Sequence, residues 1–530
     1  MHNPSITFAD ASFAWPDGSA VLDHVSTAFS PGRTGLVGDN GAGKTTVLRL
    51  IRGELAPTAG QITTRGAVGY LPQHLTLAVE SDVATLLGVR PKLAALQAIE
   101  AGSVDEHAFD TLGDDWDVEA RSLAELAAMG LAGIGLDRRV GTLSGGEAML
   151  VALTGLRLAE TPVVLLDEPT NNLDGAARER LYAAIAGWRG ALVVASHDVG
   201  LLDLLDDTAE LRAGDVTVFG GGYTEFAEAL EREQDAAQQA LRTAEQRLKL
   251  EQRQRREAET KLARRKRYAD KDYANKRRPK IIMNLRRGEA EVSAGKLRDG
   301  LDDRVESARG AVVEQEARVR VDERVRIALP DPGVGAARRL AELRGVRGVG
   351  HDGVHTVAGP ERVALTGPNG AGKTRLLSTL FDAGLRAQLD AYAVPLTERI
   401  GYLPQRIDGL DEADSAVGNV RASAPESPPG EVRAQLARFL LRGDDVDRPV
   451  ATLSGGERFR VALARLLLAE PPHQLLVLDE PTNNIDLRTT QALVDALSAY
   501  RGALLVVSHD RRFLDQLGID TWLTLDGVNG

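Results

Sequence analysis

Two lysines, Lys44 and Lys373, each close a glycine-rich run: Gly38-Asp39-Asn40-Gly41-Ala42-Gly43-Lys44-Thr45 and Gly367-Pro368-Asn369-Gly370-Ala371-Gly372-Lys373-Thr374. Both runs fit G-x-x-x-x-G-K-[ST]. Glycines let backbone N–H groups come close to an anion, and the lysine carries charge to the β- and γ-phosphates. The hydroxyls of Thr45 and Thr374 suit a magnesium ion that bridges those phosphates. A plain tight turn is the rival reading, and the strand–loop–helix context of both copies speaks against it.

A second constellation lies downstream. Val163-Val164-Leu165-Leu166 runs into Asp167-Glu168, and Leu475-Leu476-Val477-Leu478 runs into Asp479-Glu480. An apolar strand that ends in two carboxylates can hold a metal with the first, Asp167 or Asp479. The second, Glu168 or Glu480, can then polarise an attacking water. A surface acidic pair would not need a run of buried-type residues before it in both halves. Ser-His-Asp follows at His197 and His509. Adjacent residues rarely converge on one atom, so a hydrolase triad is disfavoured.

The elements that must position these groups repeat as well. Lys44 to Asp167 spans 123 positions and Lys373 to Asp479 spans 106, yet Asp to His is 30 in both halves. Each half reads as strand, phosphate loop, helix, a mostly helical insertion, then alternating strands and helices, which implies a parallel α/β core. Val163–Leu166 and Ala503–Val507 suit buried parallel strands. Ala424–Gly430, rich in proline, reads as a loop.

Three domains are expected: 1–225, a linker over 226–325, and 326–530. The linker is rich in strong helix formers and nearly free of Gly and Pro until Pro279. Leu241, Leu248 and Leu262 stand at multiples of seven, a thin seam for an antiparallel partner. Arg277-Arg278-Pro279 marks the turn, and a second helical run over 281–325 completes a hairpin spanning ~50–60 Å.

Bulk properties narrow the class. The chain has 530 residues, too many for one core, and 43% are hydrophobic. It has no cysteine, which excludes disulfides, iron–sulfur clusters and thiolate zinc sites. The start, MHNPSITFADASF, lacks a signal-peptide pattern, and no apolar run is long enough to cross a bilayer. Net charge is −12, but Lys261 to Ala290 carries twelve Lys and Arg against three Asp and Glu. A solvated spacer is the bland reading of such a run. Clustering near the expected turn favours a nucleic-acid contact through Arg264, Arg265, Lys266, Arg267, Lys276, Arg277, Arg278, Lys280, Arg286 and Arg287. Tyr268 and Tyr273 either stack on exposed bases or pack between the helices.

LSGGE at 143–147 and again at 453–457 adds specificity that phosphate loops alone lack. With it, the whole chain resembles the ATP-binding cassette (ABC) proteins. That resemblance implies a fold of two phosphate-loop ABC-type ATPase domains that pair head to tail within one monomer. It implies two composite sites binding ATP and Mg2+. Lys44, Thr45, Gln73, Asp167, Glu168 and His197 would face Ser454, Gly455 and Gly456. Lys373, Thr374, Gln405, Asp479, Glu480 and His509 would face Ser144, Gly145 and Gly146. Gln73 and Gln405, each in Tyr-Leu-Pro-Gln, look like the family's magnesium- and water-sensing glutamines. The histidines look like its γ-phosphate contacts.

Two positions depart from symmetry. Trp15 resembles the aromatic that stacks on adenine, although a core role is open to it too. The second half has no Phe, Trp or Tyr between Arg326 and Lys373, and Arg375 stands where the first half has Thr46.

Tandem cassettes with a long charged linker are similar to the ABC-F family. Its members are cytoplasmic factors that enter the ribosomal tRNA exit site, with the linker directed at P-site tRNA and the peptidyl-transferase centre. The resemblance implies an ATPase that closes on ATP, binds the ribosome and releases on hydrolysis. A general translation role stands slightly ahead of antibiotic target protection. An ATPase subunit that energises a separate membrane transporter is the alternative, and such a subunit needs no basic arm.

Overall fold

The structure, a computed structural model, describes residues 5–73, 80–171, 173–274, 280–319, 329–348, 353–441, 443–483 and 485–525. The chain divides into two compact units, Met1–Tyr223 with Arg324–Gly530, and Thr224–Glu323.

In the first unit the apolar runs become parallel sheets. One sheet has six strands in the order Val68–Leu71, Val163–Asp167, Ala191–Ala195, Gly32–Val37, Asp207–Arg212, Asp215–Gly220, parallel except for the last pair. The other has five parallel strands in the order Ile400–Leu403, Leu475–Asp479, Ala503–Val507, Arg362–Thr366, Thr521–Thr524. Every residue of Val163–Asp167, Ala191–Ala195, Leu475–Asp479 and Ala503–Val507 is buried. Fully burying one such Val or Leu contributes ~1.5–3 kcal/mol, so these central strands anchor the sheets.

Both sheets place the phosphate-loop strand beside the strand that ends in Ser-His-Asp. The Asp-Glu strand lies on the far side of that neighbour. All three ends therefore open on one edge, the usual ligand crevice of a parallel sheet.

An antiparallel sheet flanks each half: Ala20–Phe29, Ile6–Ala14, Ala59–Thr64 in the first and Val354–Ala358, Arg339–Arg344, Tyr392–Pro395 in the second. The sequence reading did not resolve these sheets, because burial along their strands is partial and interrupted instead of running continuously. Residues 424–428 form the expected loop, and Pro429 opens the helix Pro429–Arg438, where its missing N–H costs nothing.

In the second unit the helix Tyr223–Ala274 runs 52 residues and is answered by Lys280–Arg318. Arg255 meets Asp302 and Gln234 meets the Arg318 carbonyl, so the helices run antiparallel. At ~1.5 Å per residue the first is ~78 Å long, more than the ~50–60 Å expected, because nothing between Tyr223 and Ala274 breaks it. Leu241, Leu248 and Leu262 are half-buried, while Leu301 and Ala308 on the partner helix are buried. Arg264, Arg265, Lys266, Arg267 and Tyr268 are exposed. Lys276, Arg277, Arg278 and the expected turn at Pro279 lie outside the described residues. So do the side chains of Tyr273, Lys280, Arg286 and Arg287. Among the described residues no helix is long and apolar enough to cross a membrane.

Candidate active sites

The strand Gly32–Val37 turns through the first glycine run into the helix Lys44–Arg52. Gly43 holds φ 106°, a left-handed conformation, and a Cβ there would stand 2.3 Å from Val21 Cγ1. Only glycine fits such a position. No side chain caps this helix, whereas Ser144, Asp174 and Asp198 cap theirs. Its free N–H groups and positive end suit a phosphate.

Lys44 is buried, its ammonium held by Gly38 O at 2.9 Å and by His197 Nε2 at 2.9 Å. Burial pulls its pKa down, and the Glu168, Asp486 and Asp167 carboxylates oppose that pull. Lys373 repeats the pattern with Gly367 O at 2.8 Å and His509 Nε2 at 3.0 Å. An added anion would meet the charge of each buried ammonium in a low-dielectric pocket.

Thr45 Oγ1 donates to Asp167 Oδ2 at 2.8 Å. Tyr70 donates its phenol to the same oxygen at 3.2 Å, and Tyr402 donates to Asp479 Oδ2 at 3.4 Å. Asp479 Oδ1 is buried without a hydrogen-bond partner, and the same carboxylate accepts from Thr374. An orphaned carboxylate oxygen beside a threonine hydroxyl fits a hard divalent cation.

Glu168 and Glu480 take φ of 48° and 46°. Left-handed backbone is uncommon for such residues and marks a held conformation. Their N–H groups donate to Ala195 O and Val507 O, each at 2.8 Å, which turns the carboxylates off the strand ends. Burial pushes both carboxyls up to about 7, a value suited to proton transfer near neutrality. His197 Nε2 lies 3.2 Å from Glu168, and His509 Nε2 lies 3.3 Å from Glu480. Burial, followed by the lysine's charge, holds the imidazoles down to about 3 and about 4.

Gln405 lines a cavity of about 460 Å³ with Lys373, Thr374, Asp479, Glu480 and His509. Gln73 follows its own strand, Val68–Leu71, at the corresponding place. Thr46 is buried in its helix, whereas Arg375 is exposed and lines the second cavity. Trp15 sits half-buried at the turn after Ile6–Ala14, edge-on to Phe13 with ring centres 5.3 Å apart.

The two halves meet head to tail. Asn40 N donates to Asp486 Oδ2 at 2.9 Å, and Asn369 N donates to Asp174 Oδ2 at 3.4 Å. Each aspartate also caps its own helix through its other oxygen. Arg488 pairs with Asp39 at 3.1 Å, and Arg178 Nη1 donates to His509 O at 3.3 Å. Leu173 of the first half lines the second cavity.

Ser144 and Ser454 cap the signature helices in reciprocal boxes with Glu147 and Glu457. Gly145 and Gly146, like Gly455 and Gly456, form the first turns behind those caps. A Cβ at Gly146 would sit 3.4 Å from Leu173 Cδ2, so the first signature packs behind the residue that reaches the second site.

The sequence reading missed four contributors: Tyr70, Tyr402, Asp174 and Asp486. Signals existed. Both tyrosines belong to the Tyr-Leu-Pro-Gln runs, and Asn-Asn-[Leu/Ile]-Asp continues the repeated motif in both halves.

Comparison with known proteins agrees with this geometry. A family model described as ABC transporter matches residues 22–171 and 354–483. The tylosin resistance ATP-binding protein TlrC of Streptomyces fradiae is 36% identical over 94% of this chain and 93% of its own length. The energy-dependent translational throttle protein EttA of Mycobacterium tuberculosis (strain CDC 1551 / Oshkosh) is 30% identical over 94% of this chain and 87% of its own. Among solved structures, an RNase-L inhibitor superposes with a TM-score of 0.56 at 19% identity, over 97% of this chain and 87% of that one, a likeness of fold. With two ABC ATPase domains that bind and hydrolyse ATP, the chain belongs to the ABC-F family.

Proposed function

We propose that this ATPase protects the ribosome from a bound antibiotic by entering it in the ATP-closed state. The observation that carries the closed pairing is the reciprocal contact of Asp486 on the first phosphate loop and Asp174 on the second. Residues 1–225 and 326–530 act as two cassettes that close on two ATP molecules. Residues 226–325 act as a basic probe in the cytoplasm.

Lys44 and Lys373 bind the terminal phosphates. Thr45 with Asp167, and Thr374 with Asp479, would hold Mg2+, which neutralises phosphate charge when bound. Gln73 and Gln405 sense that ion and the water. Glu168 and Glu480 accept a proton from the attacking water, with His197 and His509 placed beside them. Ser144, Gly145 and Gly146 complete the second site, and Ser454, Gly455 and Gly456 the first. Hydrolysis removes the γ-phosphate, the closed form relaxes, and the ribosome is released.

The hairpin's exposed Arg264, Arg265, Lys266 and Arg267 supply phosphate-neutralising charge for rRNA or P-site tRNA. Target protection draws support from the 36% identity to a relative named for tylosin resistance. The relative named as a translational throttle supports a second reading, a general translation role.

The test is a reconstituted translation system inhibited by tylosin. Restored synthesis with wild-type chain and ATP supports target protection. Inhibition by the chain without drug, and no rescue with it, supports the throttle reading. No effect on translation under either condition removes both.

A further inference from the structure

The two sites differ where a nucleotide's base and its inner phosphates would lie. In the first half the turn after Ile6–Ala14 begins with Trp15, whose N–H donates to Ser19 O at 2.9 Å. That hairpin lies over the phosphate loop, through Val21 against Gly43. In the second half the residue after the strand Arg339–Arg344 is Gly345, whose N–H donates to Gly353 O at 2.9 Å. Glycine thus stands where the first site has an indole.

The second difference is Arg375. Its counterpart Thr46 is 9% exposed and buried in its helix. Arg375 is exposed, lines the cavity beside Lys373 and Thr374, and has no hydrogen-bond or ion-pair partner among the described residues. Other arginines of the same half are paired, such as Arg458 with Glu412 and Arg433 with Asp447. An unpaired guanidinium beside a phosphate loop presents a fork that matches phosphate oxygens two at a time. Among the described residues the cavity lining carries no phenyl, phenol or indole ring.

We propose that the second site is anchored by phosphate and tolerant of base, taking guanosine triphosphate about as readily as ATP, with Arg375 as the residue that supplies the phosphate anchor. Resting on the nucleotide reading of the site, the inference follows from where binding energy comes from. Stacking on an aromatic ring rewards a base, and hydrogen bonds around it choose which base. A site whose extra energy falls on the triphosphate binds what all nucleoside triphosphates share. The first site keeps Trp15, and with it the energy of a base stack.

Fluorescent methylanthraniloyl derivatives of ATP and GTP test this on the full chain. Lys44→Ala leaves the second site as the binder, and Lys373→Ala leaves the first. The Lys44→Ala chain is expected to bind the two analogues within about threefold of each other, and Trp15→Ala in the Lys373→Ala chain to weaken the ATP analogue by about tenfold, one base stack's worth. Arg375→Thr in the Lys44→Ala chain is expected to weaken both analogues by about tenfold, the size of one charge-assisted contact, with Arg375→Lys between.

If a lysine variant fails to fold, photolabelling of unmodified chain with 8-azido-ATP and 8-azido-GTP gives the same answer. Both labels are expected on the second half, to a similar extent. A strong ATP preference at the second site, or unchanged binding in Arg375→Thr, overturns the inference alone. Failure of either analogue to bind any chain overturns the nucleotide reading, and the inference with it.

Discussion

Arg178 offers the sharpest test of how the halves communicate. Its guanidinium lies 3.5 Å from Asp198, next to His197, and donates to the backbone of His509 in the other half at 3.3 Å. The side chains are 15% and 11% exposed. Tyr182 donates its phenol to Asp198 at 2.7 Å. Asp510, on the other half, is pushed above the usual carboxylate range by burial and, more weakly, by the charge of Asp198. The second half has Thr490 at the place of Arg178, so one cation serves both histidine segments.

Arg178→Thr copies that threonine and leaves Asp198 and Asp510 facing each other without the cation. Breaking a fully buried pair costs ~3–5 kcal/mol, and partial exposure with a 3.5 Å separation brings this to ~2–3 kcal/mol. Charged to the closed form, that is a shift of about 30- to 140-fold in the ATP needed for closure. The assay is the ATP concentration that half-saturates nucleotide occlusion in a Glu168→Gln/Glu480→Gln background. Adding Asp198→Asn removes the stranded charge and should recover about tenfold of the loss. Unchanged half-saturation would refute the reasoning. So would an equal fall in melting temperature with and without ATP, because Arg178 would then support only its own half.

Three further outcomes are expected. Tyr70→Phe with Tyr402→Phe strips one hydrogen bond from each of Asp167 and Asp479 and should raise the Mg2+ needed for half-maximal ATPase by about three- to tenfold, read from metal titrations. Glu168→Gln or Glu480→Gln alone should lower single-turnover hydrolysis at its own site by about 10²–10⁴-fold while ATP binding persists, measured by chemical quench and by equilibrium binding. Replacing Arg264, Arg265, Arg277 and Arg278 with glutamine should lessen the salt slope of ribosome binding by about three to four and spare basal ATPase, checked by binding at several salt concentrations.

Local chemistry was legible in the sequence. A glycine run after an apolar strand, or an Asp-Glu pair at a strand end, states its geometry within a few residues. Lys44, Asp167, Glu168 and His197 therefore fall together in the structure as their motifs suggest. Contacts made across the fold were not legible. The bond from Asn40 to Asp486 joins residues 446 positions apart, and nothing near either one announces the other. Tyr70 was hidden differently: its strand reads as sheet core, and only the folded register brings its phenol onto Asp167. The flanking antiparallel sheets escaped because partial, interrupted burial is a weaker signal than a continuous apolar run.

The most direct measurement is electron microscopy of ribosomes incubated with the Glu168→Gln/Glu480→Gln chain and ATP. The account predicts both halves closed around two nucleotides on the ribosome, with the helical hairpin touching tRNA or rRNA through Arg264–Arg267. Ribosomes free of the chain at saturating ATP, or a bound chain whose hairpin points into solvent, would contradict it.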